Sequence, residues 1–277
     1  MAAGKTLHPM VARLRDARHR SALVGFWQAL RVPFQSIGLL RRHRSFWPLA
    51  VAPAVINLLL FIAGAAAVFT QADAVAGMIW APPAADSLWN TVRLVGWYVL
   101  YLGVMGLGLL VTYVTTLLLG GVLASPFNDV LSARAEALLA GRAAPLEADR
   151  NTTAELAASV LSSAGILGLY ALCMGPVLLL NVLPGIGSLL ATGLGASVGA
   201  FFLTLEFADI TWARHGLAFR EKLHLIRTHK GLAVGFGLST SLLLWIPFLN
   251  VLCMPVAVVG GTALALALAS ERENGRA

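Results

Sequence analysis

The chain has 277 residues, of which 58% are hydrophobic and 12% are charged, and its formal net charge at pH 7 is +7. Since an average soluble domain has about a quarter charged residues, this composition excludes a soluble enzyme, a disordered chain and a secreted disulfide scaffold. Four uncharged runs are each longer than the roughly 20 residues that a helix needs to cross a bilayer. They cover 45–72, 94–128, 156–205 and 231–270. The sequence therefore predicts an all-α integral membrane protein.

The N-terminal part of the chain is strongly basic. Residues 1–45 contain nine Lys and Arg side chains and a single acid, Asp16. We expect residues 1–20 to be partly disordered and residues 21–44 to form an amphipathic helix in the inner headgroup plane. A basic segment beside a membrane span favours contact with anionic lipid headgroups, and we predict no nucleic-acid partner. The first apolar run is too long for a signal peptide and is expected to stay in the mature protein.

Two long spanning helices are predicted next. The first runs from about Phe46 to Phe69 and the second covers roughly 94–124, with an outer loop and an aromatic belt between them. Pro126 follows Ser125, an arrangement typical of a helix start, so a separate cytoplasmic helix is expected over about 126–141.

The last two apolar runs are each interrupted near the middle, at 181–188 and at 246–250. Because Pro removes a backbone donor and Gly permits turns, both runs are predicted to fold back as hairpins. The limbs 189–205 and 231–246 would be about 24–26 Å long as helices, which is short for a bilayer. Two alternatives stay open: complete crossings with tight outer turns, or hairpins that enter the membrane and turn back partway.

The distribution of basic residues predicts the orientation. The outer 70–93 connection contains one basic residue, Arg93, whereas the N-terminal segment contains nine and the 206–230 connection five. The positive-inside rule therefore places both termini in the cytoplasm. We expect a single transmembrane domain over residues 21–270, followed by a short cytoplasmic tail at 271–277.

No enzymatic site is predicted. The six His residues all lie in basic segments and lack the spacing of metal ligands, and no nucleophile triad or phosphate-binding loop is found, so we predict no metal and no cofactor. The uncharged runs contain no Asp, Glu, His, Lys or Arg. Because ion-coupled carriers keep such groups in their spans, this absence favours a passive pathway over a proton relay.

Anion passage has a physical basis if the hairpins turn inside the bilayer. The second limbs would then begin near Ser188 and Val251, where unpaired N–H groups and positive dipole ends attract anions. Asn181, Thr192 and Asn250 would add polar groups beside these helix starts. The alternative is that these side chains cap helices and close turns.

Two basic groups flank the apolar runs. They either collect anions at the cytoplasmic mouth or anchor the protein at the headgroups. They comprise Arg41, Arg42, His43 and Arg44, and Arg220, Lys222, Arg227 and Lys230. Between them in the chain, Asp209 and Glu206 are expected to pair with Arg214 or Arg220.

Five stretches, in order along the chain, resemble the bacterial CysZ sulfate-permease family, part of a wider group named for an etoposide-induced protein domain. They are Pro53-Ala54-Val55-Ile56-Asn57; Ser125-Pro126-Phe127-Asn128 with Glu136 and Gly141; Leu183-Pro184-Gly185-Ile186-Gly187; Asp209 with Phe219-Arg220-Glu221 and Arg227-Thr228-His229-Lys230; and Phe236-Gly237, Ile246-Pro247-Phe248-Leu249-Asn250 and Met254-Pro255-Val256-Ala257-Val258. The resemblance implies two long spanning helices plus two hemi-penetrating hairpins, assembled as a homo-oligomer. It also implies sulfate uptake for cysteine synthesis.

The chain departs from the family pattern at two points. The family's Gly-hydrophobic-Arg-Arg motif aligns with Ser45-Phe46-Trp47-Pro48, which contains no arginine, and one of the family's two acids falls at Ala133.

From the residues and the resemblance together we predict a permease or channel for a small oxyanion, sulfate or sulfite. The alternative is a non-transporting membrane scaffold of the same fold. The residues expected to bind the anion or line its pathway are Arg41, Arg42, Arg44, Asn128, Arg134, Glu136, Asn181, Gly185, Ser188, Asp209, Arg220, Arg227 and Asn250.

Overall fold

The computed structural model is helical throughout the residues that it describes, which confirms the predicted all-α class. The described residues are 7–84, 87–141, 153–183, 185–245 and 250–274, without the side chains of 153–164, 250–252 and 270–274. The chain divides into two compact units, which we describe separately: Val51–Phe127, and Met1–Ala50 together with Asn128–Ala277.

The unit Val51–Phe127 contains most of helix α4 (Trp47–Ile79) and the first part of helix α5 (Leu88–Ala140). Large apolar side chains on these helices, among them Leu58, Leu59 and Leu118, are exposed. A helix that is apolar on every side needs apolar surroundings, which a bilayer supplies. Helices α4 and α5 are accordingly among the four described helices that are long and apolar enough to cross a membrane.

Within this unit, α4 and α5 pack closely through glycines. A Cβ atom added at any of three glycines would meet a side chain of the other helix. These contacts join Gly64 with Thr112, Gly108 with Val68, and Gly120 with Asn57. The residue numbers rise along one helix as they fall along the other, so the two helices are antiparallel. Small residues at such contacts let two membrane helices approach closely.

Both long helices differ from the sequence prediction. Helix α4 continues to Ile79, ten residues beyond Phe69, which shortens the predicted outer loop. Helix α5 runs unbroken through Pro126, so the predicted restart at Ser125 is wrong. A proline inside a helix leaves one hydrogen bond unmade, and its ring crowds the carbonyl group four residues earlier, here that of Val122. Helix α5 accommodates Pro126 despite both costs.

The other unit is built around helix α10 (Asn250–Asn274). Val258, Leu264 and Leu268 of this helix are fully buried. Helix α10 packs against α7 (Ile186–Arg214), α9 (Lys230–Leu244) and the N-terminal helices described next.

The N-terminal segment forms three helices: α1 (Pro9–Arg18), α2 (Ala22–Leu30) and α3 (Val32–Arg42). Helix α1 lies where disorder was expected, because Val11 and Leu14 give it an apolar face that is buried in the core. The single helix expected over 21–44 is interrupted at Arg31. Pro33 explains this interruption, since it has no N–H to donate to the carbonyl of Ala29 and suits the first turn of a new helix.

The spacing Gly231-xxx-Gly235 on α9 allows this helix to lie directly against α2. A Cβ atom at Gly231 would meet the backbone of Ala22, and one at Gly235 would meet the backbone of Phe26. The structure places the contact within the chain.

The first broken run folds back as predicted. Helix α6 (Thr153–Leu179) is followed by a short 3-10 helix (Leu180–Val182) and then by α7, against which α6 packs. Gly185, with φ +81°, provides a left-handed conformation at the turn that glycine adopts readily. Helix α7 extends to Arg214, so this limb is about 44 Å long rather than 24–26 Å.

The second broken run also forms two helices, α9 and α10, which pack against each other. Helix α9 has 15 residues and is therefore only about 22 Å long. Its predicted break falls on residues 246–249, which lie outside the described residues. Between the two hairpins, α8 (Phe219–Thr228) follows α7 directly.

Candidate functional site

A buried carboxylate joins α5 to the end of α7. Glu136 accepts a hydrogen bond from Arg214 Nη2 at 2.9 Å through Oε2, and His215 Nε2 lies 2.7 Å from its Oε1. The side chains of Glu136 and Arg214 are each only 7% exposed. A buried charge is tolerated only when it is paired and hydrogen-bonded, so this ion pair fixes α5 relative to α7.

Hydroxyl groups extend this polar cluster to α10. Ser132 lies one helical turn before Glu136, and its Oγ accepts a hydrogen bond from Arg214 Nη2 at 3.0 Å. The same oxygen lies 3.0 Å from Thr211 Oγ1 and 2.8 Å from Thr262 Oγ1. Three helices therefore share one network of hydrogen bonds inside an apolar core, where satisfied polar groups fix a single arrangement.

Asp209 belongs to a second ion pair, with a partner different from the one that the sequence suggested. Lys222 Nζ of α8 lies 2.5 Å from Asp209 Oδ1, and the lysine side chain is only 3% exposed. The predicted pairing of Asp209 with Arg214 or Arg220 is wrong. Arg214 lies five residues from Asp209 on the same helix and therefore points in a different direction. Arg214 points to Glu136 instead, while Lys222 holds α8 against α7.

A group of cations lies where α3 ends and α4 begins, and we call it the basic cluster. It consists of Arg41, Arg42, His43, Arg44 and Arg134. The first four are consecutive, and Arg134 of α5 donates from Nη1 to the carbonyl oxygen of Ser45 at 3.3 Å. All four arginines are exposed, and Arg41, Arg42 and Arg44 have no acidic partner among the described residues.

His8 lies close enough to this cluster for the cluster's charge to affect its pKa. His8 caps the start of α1, where its Nδ1 accepts a hydrogen bond from the N–H of Met10. Burial lowers the pKa of His8, and the charges of His43 and Arg42 lower it further. The effect of His43 and Arg42 shows that the charge of the cluster extends to His8, whereas burial by itself would disfavour a charge of either sign.

The predicted pathway residues of the first hairpin make local contacts. Asn181 Nδ2 donates to the carbonyl oxygen of Leu178 at 3.1 Å, and the carbonyl oxygen of Ser188 accepts from Thr192 Oγ1 at 2.8 Å. Gly185 lies at the turn between them. These bonds agree with the turn-closing alternative, while all three residues are exposed at the turn.

The remaining predicted residues occupy separate places. Asn128 is half-buried on α5, and Arg220 is exposed in the first turn of α8. Arg227 is exposed on α8 and borders a cavity together with Lys230. Asn250 is the first residue of α10, and its side chain lies outside the described part of the chain.

The structure thus joins Arg134 to the segment beside Arg44, and it reveals partners that sequence reasoning missed. Arg214 and His215 were not predicted as partners of Glu136, and Thr211 and Thr262 were not predicted as partners of Ser132. No spacing in the sequence connects Glu136 with Arg214 and His215, which are 78 and 79 positions away.

Two comparisons with known proteins match most of this chain. A family model described as "Sulfate transporter CysZ/Etoposide-induced protein 2.4" matches residues 32–255, from the start of α3 into α10. The chain is also similar to a protein named sulfate transporter CysZ from Pectobacterium atrosepticum. The two are 27% identical over 214 residues, which cover 77% of this chain and 76% of the relative.

Proposed function

Because the chain belongs to the sulfate transporter CysZ/etoposide-induced protein 2.4 family, we propose that it is a sulfate permease of the bacterial cytoplasmic membrane. The observation that carries this proposal is the extent of the family match, which includes both long apolar helices, the first broken run and the second broken run as far as residue 255. Membership in a transporter family favours passage of a solute over catalysis. The transported sulfate, or sulfite, would supply sulfur assimilation and cysteine synthesis.

The membrane arrangement that we propose has α4 and α5 as complete spans, and the pairs α6–α7 and α9–α10 as hairpins that enter the bilayer. The short α9 supports incomplete penetration by the second hairpin, since about 22 Å is less than the hydrocarbon thickness. Both termini face the cytoplasm, as the excess of Lys and Arg in the N-terminal segment indicates. The active form is a homo-oligomer, as the family resemblance implies.

The basic cluster is the element that we propose to collect the anion. Guanidinium groups donate pairs of parallel hydrogen bonds that match the oxygens of an oxyanion. Arg41, Arg42 and Arg44 lie within one short segment and are free of acidic partners among the described residues. Beyond the cluster, the anion passes the polar turn that carries Asn181, Gly185 and Ser188. The polar groups of Asn128 and Asn250 and the positive charge of Arg220 contribute along the route.

The ion pairs of Glu136 and Asp209 have a different role in this proposal. Both carboxylates are paired with buried cations and would repel an oxyanion if they stood alone. They hold α5, α7 and α8 in place around the pathway and do not touch the anion.

Arg134 bears on the choice between transport and a non-transporting scaffold. The scaffold alternative rests on the absence of arginine from Ser45-Phe46-Trp47-Pro48. Arg134 reaches the carbonyl oxygen of Ser45 from another helix and so brings a positive charge to this segment. A cation supplied by α5 supports retention of anion binding.

Growth on sulfate tests the proposal in cells. A bacterial strain without sulfate uptake, expressing this chain, is expected to grow with sulfate as the sole sulfur source. Cells with the empty vector should grow only when cysteine is supplied, which serves as the control for viability. If cells whose membranes contain the protein still require cysteine, the permease assignment is wrong and the scaffold alternative is favoured.

A further inference from the structure

A cavity of about 310 Å³ opens between α6, α7, α8 and α9. Its volume lies at the lower end of the range of roughly 300–1,000 Å³ that is usual for small-molecule sites. The lining residues are Leu169, Cys173, Ser197, Val198, Phe201, Phe202, Leu223, Arg227, Lys230 and Val234. None of these ten described residues is acidic, and the two cations are three residues apart in the chain.

The positive charge at this cavity is uncompensated. Neither Arg227 nor Lys230 has a hydrogen bond or an acidic partner among the described residues, and both are exposed. Arg214 and Lys222 of the same unit are, in contrast, each buried against a carboxylate. The cavity therefore presents two free cationic groups to whatever occupies it.

The remainder of the lining is apolar. Leu169, Val198 and Phe201 are half-buried and Phe202 is buried, so they offer hydrocarbon surface to an occupant. The one hydroxyl, that of Ser197, already donates to the carbonyl oxygen of Gly193 at 2.9 Å. A free sulfate ion in this space would leave most of its oxygens facing hydrocarbon, which is unfavourable. The lining fits a molecule that has one anionic group and an apolar tail.

We propose that the cavity binds an anionic phospholipid, with its phosphate between Arg227 and Lys230 and an acyl chain along Leu169, Val198 and Phe201. Charge complementarity and the apolar lining together select this ligand class. Helices α6 and α7 are among those long and apolar enough to cross a membrane, and an insertion of these helices would bring the lining within reach of lipid chains. The two cations belong to the basic 206–230 connection, which is predicted to lie at the cytoplasmic headgroups, where anionic lipids concentrate. This inference does not depend on transport.

Native mass spectrometry of the purified protein tests the proposal. Phosphatidylglycerol is expected to stay bound more strongly than phosphatidylcholine with the same acyl chains. The double variant Arg227→Gln/Lys230→Gln should weaken phosphatidylglycerol retention by about 30-fold, since each basic residue contributes about fivefold at such a surface. The matched control is Arg220→Gln, an exposed cation of α8 outside the cavity, which should retain the lipid as the wild type does.

A second variant distinguishes lipid binding inside the cavity from attraction of the lipid by surface charge. Cys173→Phe would place a large ring inside the cavity and leave both cations in place, and it is also expected to reduce retention. If Cys173→Phe binds phosphatidylglycerol normally, or if Arg220→Gln weakens binding as much as the double variant, the cavity is not the lipid site. Displacement of the lipid by sulfate, but not by chloride at equal ionic strength, would equally overturn the assignment in favour of a free oxyanion.

Alkylation of Cys173 measures independently whether a lipid occupies the cavity. This thiol lines the cavity and is half-buried, whereas Cys253 is buried. Phosphatidylglycerol is expected to slow alkylation of Cys173 by a maleimide several-fold in the wild type and in Arg220→Gln. The double variant should lose this protection. Equal rates with phosphatidylglycerol and phosphatidylcholine in the wild type would contradict the proposal.

Discussion

Replacing Arg41, Arg42 and Arg44 together by Gln is expected to lower kcat/KM for sulfate uptake by roughly 100-fold, mainly through a higher KM. The cluster is proposed to hold the anion by charge-assisted hydrogen bonds of about 1.5 kcal/mol each, and the loss of two such bonds corresponds to this factor. The three side chains are exposed and have no acidic partner among the described residues, so their replacement should not unfold the protein. Initial rates in proteoliposomes at several sulfate concentrations measure the effect.

Arg31→Gln is the matched control for this experiment. Arg31 is an exposed cation at the opposite end of α3, about 15 Å from Arg41 along the helix. Arg31→Gln should change uptake little. If net charge alone governed uptake, both variants would lose uptake in proportion to the number of positive charges removed. Normal uptake by the triple variant would show that the basic cluster does not bind the anion.

Removing the carboxylate in Glu136→Ala is expected to destabilise the protein by about 3–5 kcal/mol, because the variant leaves the buried Arg214 without its partner. Asp16→Ala is the matched control, because Asp16 and Arg20 form an ion pair whose side chains are 64% and 62% exposed. Asp16→Ala should destabilise the protein by less than about 1 kcal/mol. Unfolding of both variants in one detergent, followed by denaturant titration, measures the difference.

The double variant Glu136→Met/Arg214→Met tests the cause of that loss. When both charges are replaced by apolar side chains, most of the stability should return, because no buried charge is left uncompensated. If Glu136→Ala is as stable as Asp16→Ala, the ion pair does not hold α5 against α7. If the double variant is no more stable than Glu136→Ala alone, the hydroxyl network or the lost packing accounts for the effect.

The sequence was sufficient for the class of fold and for the first break. Uncharged runs longer than a bilayer span require membrane helices whatever the tertiary contacts are, and Pro184 with Gly185 marks a turn by local chemistry alone. The prediction that a new helix begins at Ser125-Pro126 was wrong because local chemistry does not decide the structure there. The same Ser-Pro pattern can start a helix or lie within one, and only the surrounding structure decides between these outcomes.

The candidate site was predictable only in part. Consecutive arginines such as Arg41 and Arg42 are visible in the sequence as a basic group. The contacts of Glu136 are not, because Arg214 lies 78 residues away and reaches it only through the packing of α7 on α5. The cation that Arg134 brings to Ser45 is hidden for the same reason, since the two residues are 89 positions apart.

Uptake of labelled sulfate into proteoliposomes containing the purified wild-type protein tests the central claim most directly. We expect uptake that saturates with sulfate concentration, exceeds that of protein-free vesicles and is reduced by sulfite. Uptake equal to that of protein-free vesicles, by protein shown to be folded and inserted, would contradict the assignment of this chain as a sulfate permease.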